Sequence, residues 1–316
     1  MVRRVLTRLG LTVGAGGLAL ALASCGSAGA PSSAPISVPA PAYETPSAAE
    51  SPSVQSTPSG QPVPSVSATP SAAKTSAQPT KAATTKPTDA KTTSASTTSL
   101  AGLTIVVDPG HNKVNNSKNN VQVPMGAGLT KACVTSGTET NDHWPEHTYN
   151  WLQANALADE LRARGATVVL TRTDDASQGP CVNVRAQTAN DKKADLLISI
   201  HADGNLSSSA RGFHVIYSTA MEGGATVQNA SKTFATKTRD AIEAGTDMPR
   251  STYIGNGSAL SPRSDLATVN LLETTPGIML EMGNMRHAAD AKLLKSAEFR
   301  TQAAVSIANA VAATFK

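Results

Sequence analysis

Two histidines in this chain follow apolar runs in a way that suits metal chemistry. His111 comes just after the run 103–107, across a Pro-Gly turn, and His201 directly follows the run 195–200. A catalytic zinc ion commonly binds three side chains of His, Asp or Glu and keeps a fourth position for water. The two histidines therefore predict a zinc site that needs one more ligand.

The third ligand is predicted to be Glu146, in the segment PEHTYNW at the start of a helical pattern. A carboxylate in the first turn is favoured by the helix dipole. Asn150 lies one turn later on the same face and is placed to orient that carboxylate. His147 is a competing ligand, but it points about 100° away around the helix.

Glu281 is a carboxylate inside the apolar segment GIMLEM. Burying a carboxylate is costly unless it has a partner or a task. One interpretation is that Glu281 takes part in the chemistry of this site. The other is a buried ion pair with an arginine such as Arg263.

The elements that must position these residues follow from the hydrophobic pattern. Runs that are apolar on both faces suit a sheet covered by helices on both sides. The alternation of strands and helices predicts an α/β fold, a single domain with a twisted, mainly parallel sheet flanked by helices on both faces. Ligands of such sheets bind beyond the carboxyl ends of the strands, which is where His111, His201 and Glu281 are placed.

Gly165 and Gly245 stand where a helix-ending residue with left-handed backbone is expected. The predicted strands are 103–107, 166–171, 195–200, 212–217 and 277–282, and the predicted helices are 146–164, 183–193, 227–244 and 297–315.

The residues before this domain are expected to export and anchor it. Residues 1–25 have a basic start, a short apolar stretch and small residues before Cys25, which predicts a lipoprotein signal peptide ending at a lipidated cysteine. An ordinary cleaved signal with an incidental cysteine is the alternative. Residues 26–99 are almost entirely Ser, Pro, Ala and Thr and predict a disordered tether. Residues 100–316 are then the folded domain, held by lipid at the cell membrane and facing the cell wall or periplasmic space.

The net charge and the cysteine content indicate which partners and which disulfide to expect. The formal net charge of the 316 residues is only +4, and no zinc-finger, RNA-binding or phosphate-loop motif appears, so no nucleic-acid partner is expected. Cys133 and Cys181 are the only cysteines besides Cys25. In an exported protein this pair predicts a disulfide, with two unrelated buried thiols as the alternative.

In this order, the motifs DPGHN, E-x-x-x-N, LTRTDD, ISIHAD and MLEMGN resemble the zinc-dependent N-acetylmuramoyl-L-alanine amidases of the third amidase class. The resemblance spans about residues 103–315, and RGFHVIY and RSDLATVNL are similar to the actinobacterial single-domain form. The residue roles that it implies are one zinc ion bound by His111, Glu146 and His201, a catalytic carboxylate at Glu281, and a disulfide between Cys133 and Cys181.

The resemblance also implies a reaction and a substrate. Zinc would lower the pKa of its water toward about 7 and polarise the scissile carbonyl. Glu281 would take the proton of that water and pass it to the leaving amine. The bond cut would join the lactyl group of N-acetylmuramic acid to L-alanine of the stem peptide. The expected partners are peptidoglycan or muropeptide fragments, and the chain is expected to be a monomer.

Two other functions remain open on the sequence. An inactive relative would bind peptidoglycan and regulate other proteins, but such a relative is expected to lack ligands that this chain has. A zinc peptidase cutting within the stem peptide would use the same metal and base. Arg263 and Asp265 are predicted to contact the carboxylates of the stem, or else to form an exposed pair at a helix start.

A long segment between His111 and Glu146 is rich in Asn, Gly and Thr and predicts neither helix nor strand. An ordered loop of this length is usually functional. Residues 112–145 are therefore expected to border the active-site groove and to be pinned near their middle by the disulfide. Asp108 is expected to steady the His111 loop through backbone hydrogen bonds.

Overall fold

The computed structural model describes residues 98–316. The predicted signal peptide, Cys25 and all but the last two residues of the predicted tether lie outside this part of the chain. Within residues 98–316, no helix is both long enough and apolar enough to cross a membrane.

Residues 98–316 form eight strands and six α-helices. The strands are β1 (Thr104–Pro109), β2 (Gln122–Gly126), β3 (Leu129–Ala132), β4 (Thr167–Leu170), β5 (Leu196–Asp203), β6 (His214–Ser218), β7 (Leu260–Arg263) and β8 (Gly277–Asn284). The helices are α1 (Glu146–Ala163), α2 (Val182–Lys192), α3 (Gly224–Gly245), α4 (Ala267–Asn270), α5 (Ala288–Lys295) and α6 (Ala297–Thr314).

Six of the strands form one sheet in the order β4-β1-β5-β8-β6-β7. The first four are mutually parallel, β6 runs antiparallel to β8, and β7 is parallel to β6. The prediction of one α/β domain with a mainly parallel sheet is confirmed. The carboxyl ends of β1, β5 and β8 therefore meet at one edge of the sheet, together with the amino end of β6.

Helices cover both faces of this sheet, and alternate strand residues enter two separate cores. Ile198 and Ile200 of β5 are fully buried in the larger core, to which α1, α3 and α6 contribute. Leu197 points to the other face, where it packs with Ala186 and Ala189 of α2. Burial on both faces explains why β5 reads as a nearly unbroken apolar run.

One of the two predicted helix-ending glycines differs in the structure. Gly165 follows α1 with a φ of +95°, as predicted, but Gly245 is the last residue of α3 and does not have a left-handed backbone. A β-carbon on Gly245 would lie 2.2 Å from Ser306 Oγ, so the glycine permits α6 to approach α3 closely.

The long segment before Glu146 contains a hairpin that the sequence did not predict. Strands β2 and β3 pair antiparallel, and their turn residues Ala127 and Gly128 have φ values of +52° and +74°. A two-residue turn with positive φ at both positions matches the twist of the flanking strands. The sequence did not predict this turn because Ala127 occupies the position where Asn or Asp is more usual.

Candidate active site

Three side chains converge at the carboxyl edge of the sheet. His111 follows β1, Glu146 is the first residue of α1, and His201 lies in β5, and each offers one ligand atom within 4.8 Å of the other two. His111 Nε2 is 3.1 Å from Glu146 Oε2, and His201 Nδ1 is 3.1 Å from Glu146 Oε1. Two imidazoles and one carboxylate are a ligand set that catalytic zinc sites use, so the residues present fit this ion.

The turn after β1 brings His111 and His201 together. His111 has a φ of +58°, an uncommon conformation for a residue with a side chain. A β-carbon on the preceding residue, Gly110, would lie only 2.2 Å from the His201 imidazole. The glycine of DPGHN is therefore required because the turn passes directly against the second histidine.

Backbone groups of the following loop and of β5 hold these ligands in place. The Thr135 carbonyl accepts a hydrogen bond from His111 Nδ1 at 2.8 Å, which keeps the Nε2 lone pair free for a metal. Glu146 accepts hydrogen bonds from the backbone N–H groups of Thr138 and Ala202. The sequence did not point to Thr135 or Thr138, because their contribution comes from backbone atoms that any residue carries.

Asn150 and His147 differ in the way that helix geometry predicts. Asn150 Nδ2 donates to both the Gly110 carbonyl and Glu146 Oε1, at 3.2 and 3.3 Å. His147 Nδ1 instead bonds Asp175 at 2.9 Å, and His147 is absent from the ligand cluster. Of the two candidates for the third ligand position, Glu146 faces the two histidines and His147 does not.

The electrostatics of the cluster suit a cation. Burial alone would raise the pKa of Glu146, but the charge and hydrogen bonds of His111 and His201 hold that pKa well below its usual value. Burial lowers the pKa of His201, which favours the neutral imidazole that binds metals. Burial alone would lower the pKa of His111, but the charge of Glu146 raises it above its usual value. The surroundings therefore favour an ionised Glu146, and they favour the neutral form only of His201.

Glu281 lies beside this cluster on the same face of the sheet. In the strand register it is opposite His201 of β5 and His214 of β6. Its Oε2 atom is buried and has no hydrogen-bond partner among the described residues. Burial raises the pKa of Glu281 well above its usual value, and the charges of Glu146 and Asp203 raise it further. Such a carboxyl group is able to accept and return a proton.

The alternative ion pair of Glu281 with Arg263 is absent from residues 98–316. Arg263 instead binds Asp265, through Nε at 2.7 Å and Nη2 at 2.5 Å. Both side chains are about half exposed, and Arg263 lines a cavity that also includes Glu281. Arg263 therefore faces the groove, and Asp265 fixes the orientation of its guanidinium group.

A buried ion pair packs against the turn that carries His111. Asp108 Oδ1 is 2.7 Å from Arg185 Nη1, and both side chains are about 1 % exposed. Arg185 also donates to the Pro109 and His111 carbonyls. Asp108 was expected to bond the loop backbone itself, whereas the structure gives that role to Arg185, with Asp108 as its counter-ion.

Two cavities meet at the candidate site. One of about 260 Å³ extends past Met279 and Ile216 toward Lys131 and Arg263. The other, of about 370 Å³, is lined largely by residues 135–138 and 202–204. The two cavities share His111, Thr135 and Glu281, so a bound molecule has room to extend in two directions from the centre.

The disulfide between Cys133 and Cys181 is present. It joins the segment just after β3 to the residue that precedes α2, next to the hydrogen bond from Val182 N–H to the Cys133 carbonyl. Thr135 and Thr138, which contact the ligand cluster, follow Cys133 within a few residues. The bridge therefore anchors the start of the loop that lines the site.

Comparisons of this chain with known protein families and with known proteins agree on one family. The sequence profile of N-acetylmuramoyl-L-alanine amidases matches residues 105–313. The N-acetylmuramoyl-L-alanine amidase Rv3717 of Mycobacterium tuberculosis is 42% identical over 217 residues, which is 67% of this chain and 86% of that protein.

Two solved mycobacterial structures resemble this one. The N-acetylmuramyl-L-alanine amidase Ami1 from Mycobacterium smegmatis is 39% identical with a TM-score of 0.65, over 69% of this chain and 98% of that chain. The apo form of Ami1 from Mycobacterium abscessus is also 39% identical with a TM-score of 0.65, over 69% of this chain and 100% of that one.

Proposed function

This chain belongs to the N-acetylmuramoyl-L-alanine amidase family, and we propose that it is a zinc-dependent enzyme that uses His111, Glu146 and His201 as ligands. The bond hydrolysed is the amide between the lactyl group of N-acetylmuramic acid and L-alanine of the peptidoglycan stem peptide. The observation that carries this proposal is the convergence of the three ligand atoms within 4.8 Å, next to a carboxylate with an unpartnered oxygen.

The catalytic roles follow from the chemistry of each group. Zinc bound in such a site lowers the pKa of water and polarises a carbonyl group. Glu281 accepts the proton of the attacking water and delivers it to the nitrogen of L-alanine as the carbon–nitrogen bond breaks. The products are a free lactyl carboxylate on the sugar and a stem peptide with a free amino terminus. Glu281 is suited to both transfers because its Oε2 is not occupied by another hydrogen bond.

The two cavities suit a substrate that has a peptide on one side of the scissile bond and a sugar on the other. The cavity that leads to Arg263 has Met279 and Ile216 among its lining residues and accommodates the peptide. The cavity beside Thr138 and Gly204 is lined mostly by polar residues and glycines and accommodates the sugar. Arg263, held by Asp265, is the proposed contact for a carboxylate of the stem.

We further propose that the mature protein is an exported, monomeric lipoprotein that binds one zinc ion. The export signal and the lipid anchor are supported by the sequence alone, in which the signal peptide 1–25 ends at Cys25 and the tether 26–99 precedes the zinc amidase catalytic domain 100–316. The single zinc ion is supported by the one ligand cluster among the described residues. Cys25→Ser is expected to abolish lipid labelling and to release the protein from the membrane fraction. Full membrane retention of the variant would contradict the anchor.

The product of the reaction distinguishes the proposed function from its alternatives. The zinc-loaded protein is incubated with defined muropeptides, and the products are identified by mass spectrometry. We expect an intact stem peptide beginning with L-alanine and a sugar with a free lactyl group. A cut within the stem would identify a peptidase, and binding of muropeptides without any cleavage would identify an inactive regulator.

A further inference from the structure

The peptide cavity leads away from Glu281 along one face of the sheet. In the register of β6 and β8, Glu281 is opposite His214, and Met279 is opposite Ile216. Residues two apart on a strand share a face, so Met279 and Ile216 form an apolar floor next to Glu281. Arg263 is paired with Ser218, two residues further along β6, and marks the far end of this floor.

Two cations and one carboxylate occupy that far end. Lys131 of β3 donates from Nζ to the Asp265 backbone carbonyl at 2.9 Å, and Arg263 binds the Asp265 carboxylate. The two positive side chains therefore share a single negative one, which leaves a formal excess of one positive charge. Lys131 is half-buried, so its ammonium group is partly removed from water, where charge interactions are stronger.

Both cations retain donors for a further acceptor. The bonds from Arg263 to Asp265 use Nε and Nη2, so the Nη1 group remains for other partners. Lys131 uses one of its three ammonium protons on the Asp265 carbonyl. The third cation of this cavity, Arg185, is neutralised by Asp108 and adds no excess charge.

The spacing matches the length of a short peptide. Ser218, the partner of Arg263, lies four residues along β6 from His214, the partner of Glu281, which is roughly 13 Å at about 3.3 Å per residue. An extended peptide spans about 3.3–3.6 Å per residue. Two residues of an extended stem cover only about 7 Å of that distance. Lys131 and Arg263 line the same cavity as Glu281, so their side chains would have to extend back over the apolar floor to meet the second residue of a stem whose first amide lies at Glu281.

We propose that Lys131 and Arg263 form a carboxylate-recognising wall that makes the enzyme prefer stems with a free carboxylate on their second residue over stems amidated there. A carboxylate pairs with the excess positive charge, whereas a carboxamide is neutral and brings its own donors toward two cations. This inference rests on the proposed amidase function and adds a substrate preference to it.

A purely structural role for the same contacts makes a different prediction. Lys131 and Asp265 also connect the β2–β3 hairpin to the segment between β7 and α4. If bracing were the only role, loss of either cation would change the cleavage rates of both stems by the same factor. The ratio of the two rates is therefore the informative quantity.

The test uses two synthetic muropeptides that differ only in whether the second stem residue carries a carboxylate or a carboxamide. Their kcat/KM values are measured for the zinc-loaded full chain, for Lys131→Gln and for Arg263→Gln. Glutamine keeps a donor for Asp265 but has no charge. We expect the wild type to favour the carboxylate about fivefold, the upper range for a partly exposed ion pair, and each variant to reduce that ratio toward one. Lys192→Gln, at the exposed end of α2, is the matched control and should keep the wild-type ratio.

A binding measurement separates this inference from the proposed function. The free stem peptides, without the sugar, are titrated into Glu281→Gln, and the carboxylate form should bind more tightly by a factor that shrinks at high salt. The inference would be overturned if the wild type cleaved the carboxylate and carboxamide stems at nearly equal rates. It would also be overturned if Lys131→Gln and Arg263→Gln both kept the wild-type ratio of the two rates. Either result would leave the proposed amidase function standing. Absence of all cleavage together with a retained binding preference would instead overturn the amidase proposal and support the wall.

Discussion

At the scale of single residues, the geometry of Glu146 depends on Asn150. Asn150 donates to Glu146 Oε1 and to the Gly110 carbonyl, so it couples the carboxylate ligand to the turn that carries His111. Groups that orient metal ligands typically contribute about 10- to 100-fold to metal affinity or activity. We expect Asn150→Ala to weaken zinc binding, measured by competition with a chelator, by about tenfold or more.

Asn155→Ala is the control for this prediction. Asn155 lies on the same helix, but its amide donates only to the Trp151 carbonyl within that helix. Its removal should leave zinc affinity unchanged. Equal zinc affinity in Asn150→Ala and wild type would mean that the ligand cluster does not need this support.

The Asp108–Arg185 pair connects the site to stability and to pH. Burial alone would raise the pKa of Asp108, but the charge of Arg185 and the hydrogen bonds of Ser199 and Thr171 keep that pKa below its usual value. A depressed folded-state pKa stabilises the protein above the unfolded pKa of about 3.9, and that stability is lost as pH falls through the folded value.

Asp108→Asn is therefore expected to be strongly destabilising at neutral pH and less so in acid. Removing one partner of a buried ion pair costs about 3–5 kcal/mol, measured as the free energy of unfolding in urea at pH 7. Repeating the measurement at pH values below about 4 should narrow the difference from wild type. Asp159→Asn, where the side chain is 80% exposed, should have little effect, and a pH-independent difference for Asp108→Asn would contradict the linkage.

Some of these residue roles were accessible from the sequence and others were not. Glu281 stood out because a carboxylate within an apolar strand needs a reason, and the helix period separated Glu146 from His147. Thr135 escaped notice because it acts through its carbonyl group. Lys131 escaped notice because its position depends on a hairpin whose turn lacks the usual residues.

At the scale of elements, the disulfide holds the site-lining loop against α2. The bridge closes a sequence separation of 48 residues, for which the chain-entropy model gives about 4 kcal/mol of stabilisation. We expect Cys133→Ala combined with Cys181→Ala to lower the free energy of unfolding by about 3–4 kcal/mol and to reduce turnover, because the Thr135 carbonyl that orients His111 follows closely.

Reductant provides the control for the disulfide. It should lower the Tm of the wild type toward that of the double variant and leave the variant itself unchanged. An unaltered Tm and turnover in the variant would show that the loop holds its position without the bridge.

The elements themselves differed in how well the sequence predicted them. The parallel strands β1, β5 and β8 were clear, because burial on both faces leaves long apolar runs. The direction of β6 was not predictable from periodicity, which is the same for parallel and antiparallel strands. Strands β2, β3 and β7 are short and include polar or exposed residues, so no apolar run marked them.

At the scale of the whole domain, the proposed zinc ligands and the main core are separate. The core residues lie between the sheet and helices α1, α3 and α6, whereas the ligands lie at one edge of the sheet. We expect chelation to abolish activity but to leave the circular dichroism spectrum and cooperative unfolding intact. The stability lost should equal the binding contribution, about 2.7 kcal/mol when zinc is present at 100 times its Kd. Loss of secondary structure on chelation would mean that the metal is needed for folding, as it is in zinc fingers.

The most direct test of the central claim compares wild type with Glu281→Gln for both zinc content and lactyl-amide cleavage. The account predicts one zinc ion per chain in both proteins, with turnover lower in the variant by about 10²- to 10⁴-fold, the usual contribution of a general acid–base group. Glu298→Gln, on the exposed first turn of α6, should match wild type in both measurements. Wild-type turnover in Glu281→Gln would contradict the assigned base, and loss of zinc from that variant would place Glu281 among the metal ligands instead.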